Sequence, residues 1–164
     1  MFTFQARYVI MFAEVISVQV IRAENTATRA GAYYVRIQAM AKKYHITLEE
    51  EFDEHDNNET KYIVILDDDF PVATCRFYDI GDGAVMIGRV VVLPEYRGRG
   101  LGSRAVLSAE EWAGELGYTY AVLESRVEKT GFYEKLGYIA DQENIIEGGT
   151  FRCVHMEKRL SSQK

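Results

Sequence analysis

The amino-acid sequence predicts an α+β fold, and three observations carry that prediction. Apolar, β-branched runs at residues 62–66, 72–78 and 84–92 are separated by Asp67-Asp68-Asp69 and Gly81-Asp82-Gly83, the pattern of an antiparallel meander. The clearest helical pattern, residues 101–116, follows that meander and precedes another apolar run at 118–123, so the second half holds a β-α-β unit. Between the halves lies Val90-Val91-Val92-Leu93-Pro94-Glu95-Tyr96-Arg97-Gly98-Arg99-Gly100-Leu101-Gly102, an apolar run that stops at a proline and gives way to three alternate glycines.

Each element has its own justification. Residues 15–22 are β-rich and partly alternating, a first strand. Asn25 or Thr26 can cap a helix running to about Lys43, with Ala30, Tyr33, Tyr34 and Ile37 at helical spacing. Residues 48–60 are acidic and polar and read as a loop, after which the three runs of the meander supply strands two to four. In the helix at 101–116, Leu101, Ala105, Ala109, Trp112 or Ala113 and Leu116 share one stripe, and Gly117 suits its C-terminal cap. The fifth strand, 118–123, leads into a short helix at 129–136 that Gly137 ends. Residues 138–141 and 150–159 close the chain as strands around Gly148-Gly149.

Composition bounds the function. A chain of 164 residues can bury a real core, and residues 15–160 read as a single domain. Residues 1–14 form an N-terminal extension or alternative start region, since Met11 can serve as a second start. A formal charge of −6 and a pI near 5.2 argue against nucleic acid or an anionic membrane as partner. The apolar N-terminus is broken by Gln5, Arg7, Glu14 and Gln19, too often for a membrane span, and it lacks the order of a secretory signal. Cys75 and Cys153 sit in strand-like runs without metal-ligand spacing, as expected of reduced cysteines in a cytoplasmic protein that holds no metal.

Local basicity at Arg97 and Arg99 within this acidic whole points to a specific anion site. Strand, glycine-rich turn and helix N-terminus together make a seat for phosphate: glycines let backbone amides approach, and the helix end adds partial positive charge. Two familiar seats fail on context. A dinucleotide fold needs alternating βα units around the motif, whereas here a meander precedes it. A nucleoside-triphosphate loop needs a lysine that Gly100-Leu101-Gly102-Ser103 lacks.

Arg97-x-x-Gly100-x-Gly102 resembles the acetyl-CoA motif of the GCN5-related N-acetyltransferase superfamily, Arg/Gln-x-x-Gly-x-Gly/Ala. Phe132-Tyr133-Glu134-Lys135-Leu136-Gly137-Tyr138 resembles its second signature, at the expected separation. Tyr34-Val35-Arg36, Leu48-Glu49-Glu50-Glu51 and Asp53-Glu54-His55-Asp56 are loosely similar to the branch typified by the bacterial ElaA and YjcF proteins.

The resemblance implies a largely antiparallel twisted sheet, splayed between strands four and five and flanked by helices. It implies an acyl-CoA-dependent N-acyltransferase that uses acetyl-CoA as co-substrate, the amine attacking directly in a ternary complex. The backbone of Val90, Val91 and Val92 would pair with pantetheine, and amides from Arg97 through Gly98, Arg99, Gly100, Leu101 and Gly102 would cradle the pyrophosphate. Arg97 and Arg99 have a plainer alternative as solvated turn charges. Tyr133 is the expected general acid for the departing thiolate, because a thiol pKa of about 8.5 and a phenol pKa of about 10 are close; its alternative is a packed aromatic beside Phe132. Glu124, at the end of the fifth strand, stands where some members carry a general base, and pairing with Arg126 or another cation is its alternative. The rival class is a non-catalytic module that binds or senses CoA.

The acidic segment 49–56 has no established metal spacing and reads first as a solvated loop, second as a lure for a cationic amine. His45, His55 and His155 are scattered and form no recognisable catalytic arrangement. A small-molecule amine is expected as acceptor ahead of a protein, and a homodimer is compatible with exposed C-terminal strands.

Overall fold

The computed structural model describes residues 17–147 and 149–161, so the expected extension at 1–14 lies outside the described residues. The strands are β1 (Val18–Arg22), β2 (Lys61–Asp67), β3 (Phe70–Gly81), β4 (Ala84–Val92), β5 (Tyr120–Arg126), β6 (Ile139–Ile146) and β7 (Cys153–Arg159). They form one seven-stranded sheet in the order β1-β2-β3-β4-β5-β7-β6. Every neighbouring pair is antiparallel except β4 and β5, which are parallel because a helix carries the chain between them. The mixed, mostly antiparallel sheet is the expected fold class.

The helices are α1 (Thr26–Arg36), α2 (Lys42–Tyr44), α3 (Leu48–Glu51), α4 (Leu101–Glu115) and α5 (Thr130–Glu134). Asn25 caps α1: its side chain accepts the Thr28 N–H at 2.9 Å, and Thr28 Oγ1 accepts the Asn25 N–H in return. The expected single helix to about Lys43 is interrupted, however. Residues Ile37–Ala41 form a π-helical turn between α1 and α2, a change of hydrogen-bond register that apolar spacing does not announce. The expected loop at 48–60 is also corrected, because Thr47 and Glu50 build a capping box that starts α3.

The main core lies between the sheet and α4. Phe77, Val85, Ile87, Leu123 and Met156 from the strands pack against Leu101, Ala105, Ala109, Trp112 and Ala113 of the predicted stripe. Leu116, expected on the same stripe, is instead exposed, because α4 ends at Glu115 and Leu116 already belongs to its C-terminal cap. Phe77 meets Trp112 edge to face, with ring centroids 5.4 Å apart. On the opposite face Ala32 of α1 packs in a second cluster with Tyr62 and Val64 of β2. Strand alternation therefore sends Cys75 and Phe77 toward α4, and Tyr62 and Arg76 toward α1.

Candidate active site

The end of β4 is shaped by a bulge. Thr74 pairs with Val91 and Arg76 with Gly88, so β4 spends three steps where β3 spends two. Arg89 sits in the bulge with φ at 52°, a left-handed conformation that a non-glycine residue adopts only when its surroundings hold it there. On the other edge, β4 pairs with β5 only at Ala84↔Tyr120, Val85↔Ala121 and Met86↔Val122. Beyond Met86 the two strands part, as expected of a splayed sheet. Val90 and Val92 are half-buried and Val91 is buried, all three packed on the core while their backbone follows the gap.

Past Val92 the chain turns through a 3-10 segment, Pro94–Tyr96, and reaches α4. Gly100 caps α4 with φ at 75°, a conformation most side chains would strain, and no side chain occupies the cap. The amides of the first turn are thus left without a protein acceptor from a capping side chain, at the positive end of a 15-residue helix. Leu101 turns into the core and anchors the turn. Gly102 sits in close approach: a Cβ there would lie 3.3 Å from the Phe132 ring, a tight contact, and 3.7 Å from the Val92 side chain. Arg97 is exposed and its Nε donates to the Val92 carbonyl at 3.3 Å. Arg99 rests over the Tyr96 ring at 5.3 Å, and Tyr96 donates its hydroxyl to Asp67 at 2.8 Å.

Tyr133 lies on α5, which the structure confines to Thr130–Glu134 behind a 3-10 turn, Val127–Lys129. Its ring meets Phe132 edge to face at 4.8 Å and Tyr138 at 6.0 Å. Burial pushes the phenol above its ordinary value, a shift the Arg126 guanidinium opposes. The group is therefore protonated at neutral pH and a weak acid. A thiolate released in the same apolar surroundings has its own proton affinity raised by the same desolvation, which narrows the mismatch.

The fifth strand runs three residues further than the sequence suggests, so Glu124 lies inside β5 rather than at its end. It is exposed, pairs in register with His155 of β7, and shares a face of the strand with Val122 and Arg126. The alternative of a Glu124–Arg126 ion pair is not what forms. Arg126 instead donates to the Tyr44 hydroxyl at 3.3 Å and to Met40 Sδ at 3.5 Å, and stacks 3.4 Å from the Phe151 ring centroid. Nothing in linear order brings Tyr44 or Phe151 to Arg126, so its surroundings come from the fold alone.

The acidic segment is the largest departure from expectation. The side chains of Glu51 and Asp56 are buried and that of Asp53 is partly so; they meet Arg36, Arg76 and Arg89 in one network. Asp56 accepts from Arg36 Nη1 at 2.6 Å, the Tyr62 hydroxyl at 2.7 Å and the Asp53 N–H at 3.0 Å, and pairs with Arg76 Nη1 at 2.7 Å. Burial alone would raise its carboxyl, but the hydrogen bonds from Arg36 and Tyr62 and the arginine charges hold it well below the usual range. Arg89 Nη2 reaches Asp53 at 3.2 Å, which ties the network to the bulge. His55 stacks flat on Tyr78, centroids 4.1 Å apart. With three guanidiniums facing three carboxylates, Glu51, Asp53 and Asp56 brace the end of β4, while Glu49, Glu50 and Glu54 stay exposed as a solvated segment would have them. One signal was available: an arginine in the middle of the apolar run Ala73-Thr74-Cys75-Arg76-Phe77 demands a buried partner.

Among the described residues, no group of three or more His, Cys, Asp or Glu side chains is placed to hold a metal ion, and no helix is long and apolar enough to cross a membrane. Comparison with known proteins agrees with the geometry. The family model described as "Acetyltransferase (GNAT) family" matches residues 25–138. YjcF of Bacillus subtilis (strain 168), named an uncharacterized N-acetyltransferase, is 30% identical over 128 residues, covering 77% of this chain and 90% of YjcF. A Lactobacillus plantarum crystal structure, provisionally assigned as an N-acetyltransferase, superposes with a TM-score of 0.81 at 32% identity, covering 88% of this chain and 99% of that one. An aminoglycoside 6'-N-acetyltransferase solved with coenzyme A has a TM-score of 0.69 at 17% identity, with 88% and 99% covered, and so shares the fold. A matched family model over most of the chain, and a relative of this identity and coverage, establish that the protein belongs to the GNAT acetyltransferase family.

Proposed function

We propose that this chain transfers the acetyl group of acetyl-CoA to a primary amine by direct attack in a ternary complex. The observation that carries the reading is the parting of β4 from β5 after Met86, which leaves a backbone edge leading to an uncapped helix N-terminus. In this reading the edge at Val90, Val91 and Val92 pairs with pantetheine, and amides from Arg97 to Gly102 hold the pyrophosphate. That a fold neighbour was solved with coenzyme A supports a CoA-based co-substrate.

The chemistry assigned to the chain is limited. The amine nitrogen bonds to the thioester carbonyl carbon, the C–S bond breaks, and Tyr133 gives its proton to the leaving sulfur. Glu124 takes the proton that the amine loses, directly or through water. Much of the acceleration comes from holding the thioester and amine in line, with backbone donors aimed at the carbonyl oxygen.

The test is thiol release from acetyl-CoA over a panel of small amines, with Tyr133→Phe alongside. The expected result is amine-dependent release, with kcat lowered on the order of 10² or more in the variant. Double-reciprocal plots should intersect, as sequential binding requires. Unimpaired turnover in Tyr133→Phe would remove the acid from that residue. Tight CoA binding without amine-dependent release would replace the enzyme by a CoA-binding module.

A further inference from the structure

Arg126 is a partly buried arginine in an acidic protein. Among the described residues no carboxylate is ion-paired with it, whereas Arg36, Arg76 and Arg89 on the same side of the sheet all have such partners. It is only partly exposed, and three neighbours fix its position. Phe151 lies 3.4 Å from the guanidinium carbon, the Tyr44 ring 5.1 Å, and Met40 Sδ within 3.5 Å of one terminal nitrogen. Aromatic faces hold a guanidinium plane while leaving its N–H edge able to donate further.

The surroundings add to the positive character. Lys43 Nζ lies 5.2 Å from the Tyr44 ring centroid, so that ring has two cations close to it. The hydrogen bond from Arg126 lowers the Tyr44 phenol below its ordinary value, and the charges of Arg126 and Lys43 act in the same direction. The π-helical turn Ile37–Ala41 carries Met40 and directly precedes the segment of Tyr44, so an irregularity of the helix sits at this place. Such turns concentrate where function needs a side chain re-aimed. Arg126 stands two residues along β5 from Glu124 on the same strand face, at a strand spacing of about 7 Å.

We propose that the acceptor is an amine that also carries a carboxylate, and that Arg126 binds that carboxylate while the amine end lies toward Glu124. This rests on the acetyltransfer reading above and names the acceptor class for it. An exposed carboxylate on the protein side and an unpaired guanidinium beside it complement a zwitterion, end for end. A plain monoamine or polyamine leaves the guanidinium without a partner and meets its repulsion.

The experiment compares amino-acid acceptors of several chain lengths with their methyl esters, using the full chain with acetyl-CoA, for the wild type, Arg126→Gln and Arg126→Lys. A charge-assisted hydrogen bond predicts that the wild type favours the free acid on the order of 10- to 100-fold in kcat/KM. Arg126→Gln should erase the preference chiefly through KM, and Arg126→Lys should keep part of it. Calorimetric binding of the same acids to CoA-loaded protein runs in parallel, with thermal denaturation of each variant to confirm folding. Turnover of acid and ester at equal efficiency, or a preference that survives in folded Arg126→Gln, overturns the proposal. Binding of the acids that depends on Arg126 without any thiol release supports this site and refutes the transfer reading. Neither binding nor turnover refutes both.

Discussion

Replacing Asp56 by asparagine should show how much the buried charge network stabilises the fold. The substitution keeps the shape of the side chain and removes one of three carboxylates that face Arg36, Arg76 and Arg89. Arg36 is fully buried and Arg76 nearly so, so neither can turn its charge to water. Breaking a buried pair on one side costs about 3 to 5 kcal/mol, because an uncompensated charge stays behind. The amide nitrogen also places a donor where Arg36, Arg76 and Tyr62 all offer donors, which adds to the loss. For a chain of this size each kcal/mol moves the melting temperature by roughly 2 to 4 °C, so about 4 kcal/mol corresponds to roughly 8 to 16 °C. Differential scanning calorimetry of wild type and Asp56→Asn reads the shift. Glu54→Gln, an exposed side chain of the same segment, serves as the control and should move the transition by roughly 2 °C or less. A melting temperature within 3 °C or so of wild type for Asp56→Asn would mean the arginines reach other partners, and the argument from buried charge would fail.

Other outcomes follow from the same geometry. Burial alone would raise the Asp53 and Asp56 carboxyls, but hydrogen bonds and charge from the arginines hold both below the usual value. Their contribution to stability is therefore complete above about pH 4 and lost as pH falls through the lower folded-state values, so urea midpoints should drop between about pH 4 and pH 2. That drop should shrink in Asp56→Asn. Gly102→Val presses on Phe132 at the wall that carries Tyr133, and should weaken CoA binding and turnover in assays where circular dichroism shows the fold intact. Glu110→Ala leaves the Tyr138 hydroxyl and the Lys158 ammonium without the acceptor they meet at 2.8 and 2.5 Å, and should cost about 2 to 3 kcal/mol by urea unfolding. Burial pushes the Cys75 thiol far up, so alkylation of native protein should label Cys153 and leave Cys75 until denaturant is added. Equal labelling of both would show that the face under α4 opens.

The meander, the crossover helix and the glycine turn were legible because each depends on residues close in sequence. Turn residues, apolar period and cap residues act over a few positions, and Asn25, the stripe on α4 from Leu101 to Ala113 and Gly100 all stand as their types predict. The capping box of Thr47 and Glu50 was equally local and is masked only by the acidity around it. Arg36 and Asp56 are different. Twenty residues separate them, and either alone reads as a surface charge. The π-helical turn is likewise invisible to a period of 3.6, since one inserted hydrogen-bond step leaves the apolar residues nearly in place.

By itself, then, the sequence determined which segments pair or coil and where a phosphate can sit, because those properties are written in neighbouring side chains and backbone freedom. Only the tertiary structure decided what the charges do. Packing brought the acidic segment onto Arg36, Arg76 and Arg89, where low dielectric and exclusion of water join them into one network that holds the β4 bulge. The same packing placed Arg126 between Tyr44 and Phe151 with no carboxylate partner among the described residues. Identical residue types thus became a brace in one place and a candidate binding group in the other, because charge acts through space and through what the fold excludes from around it.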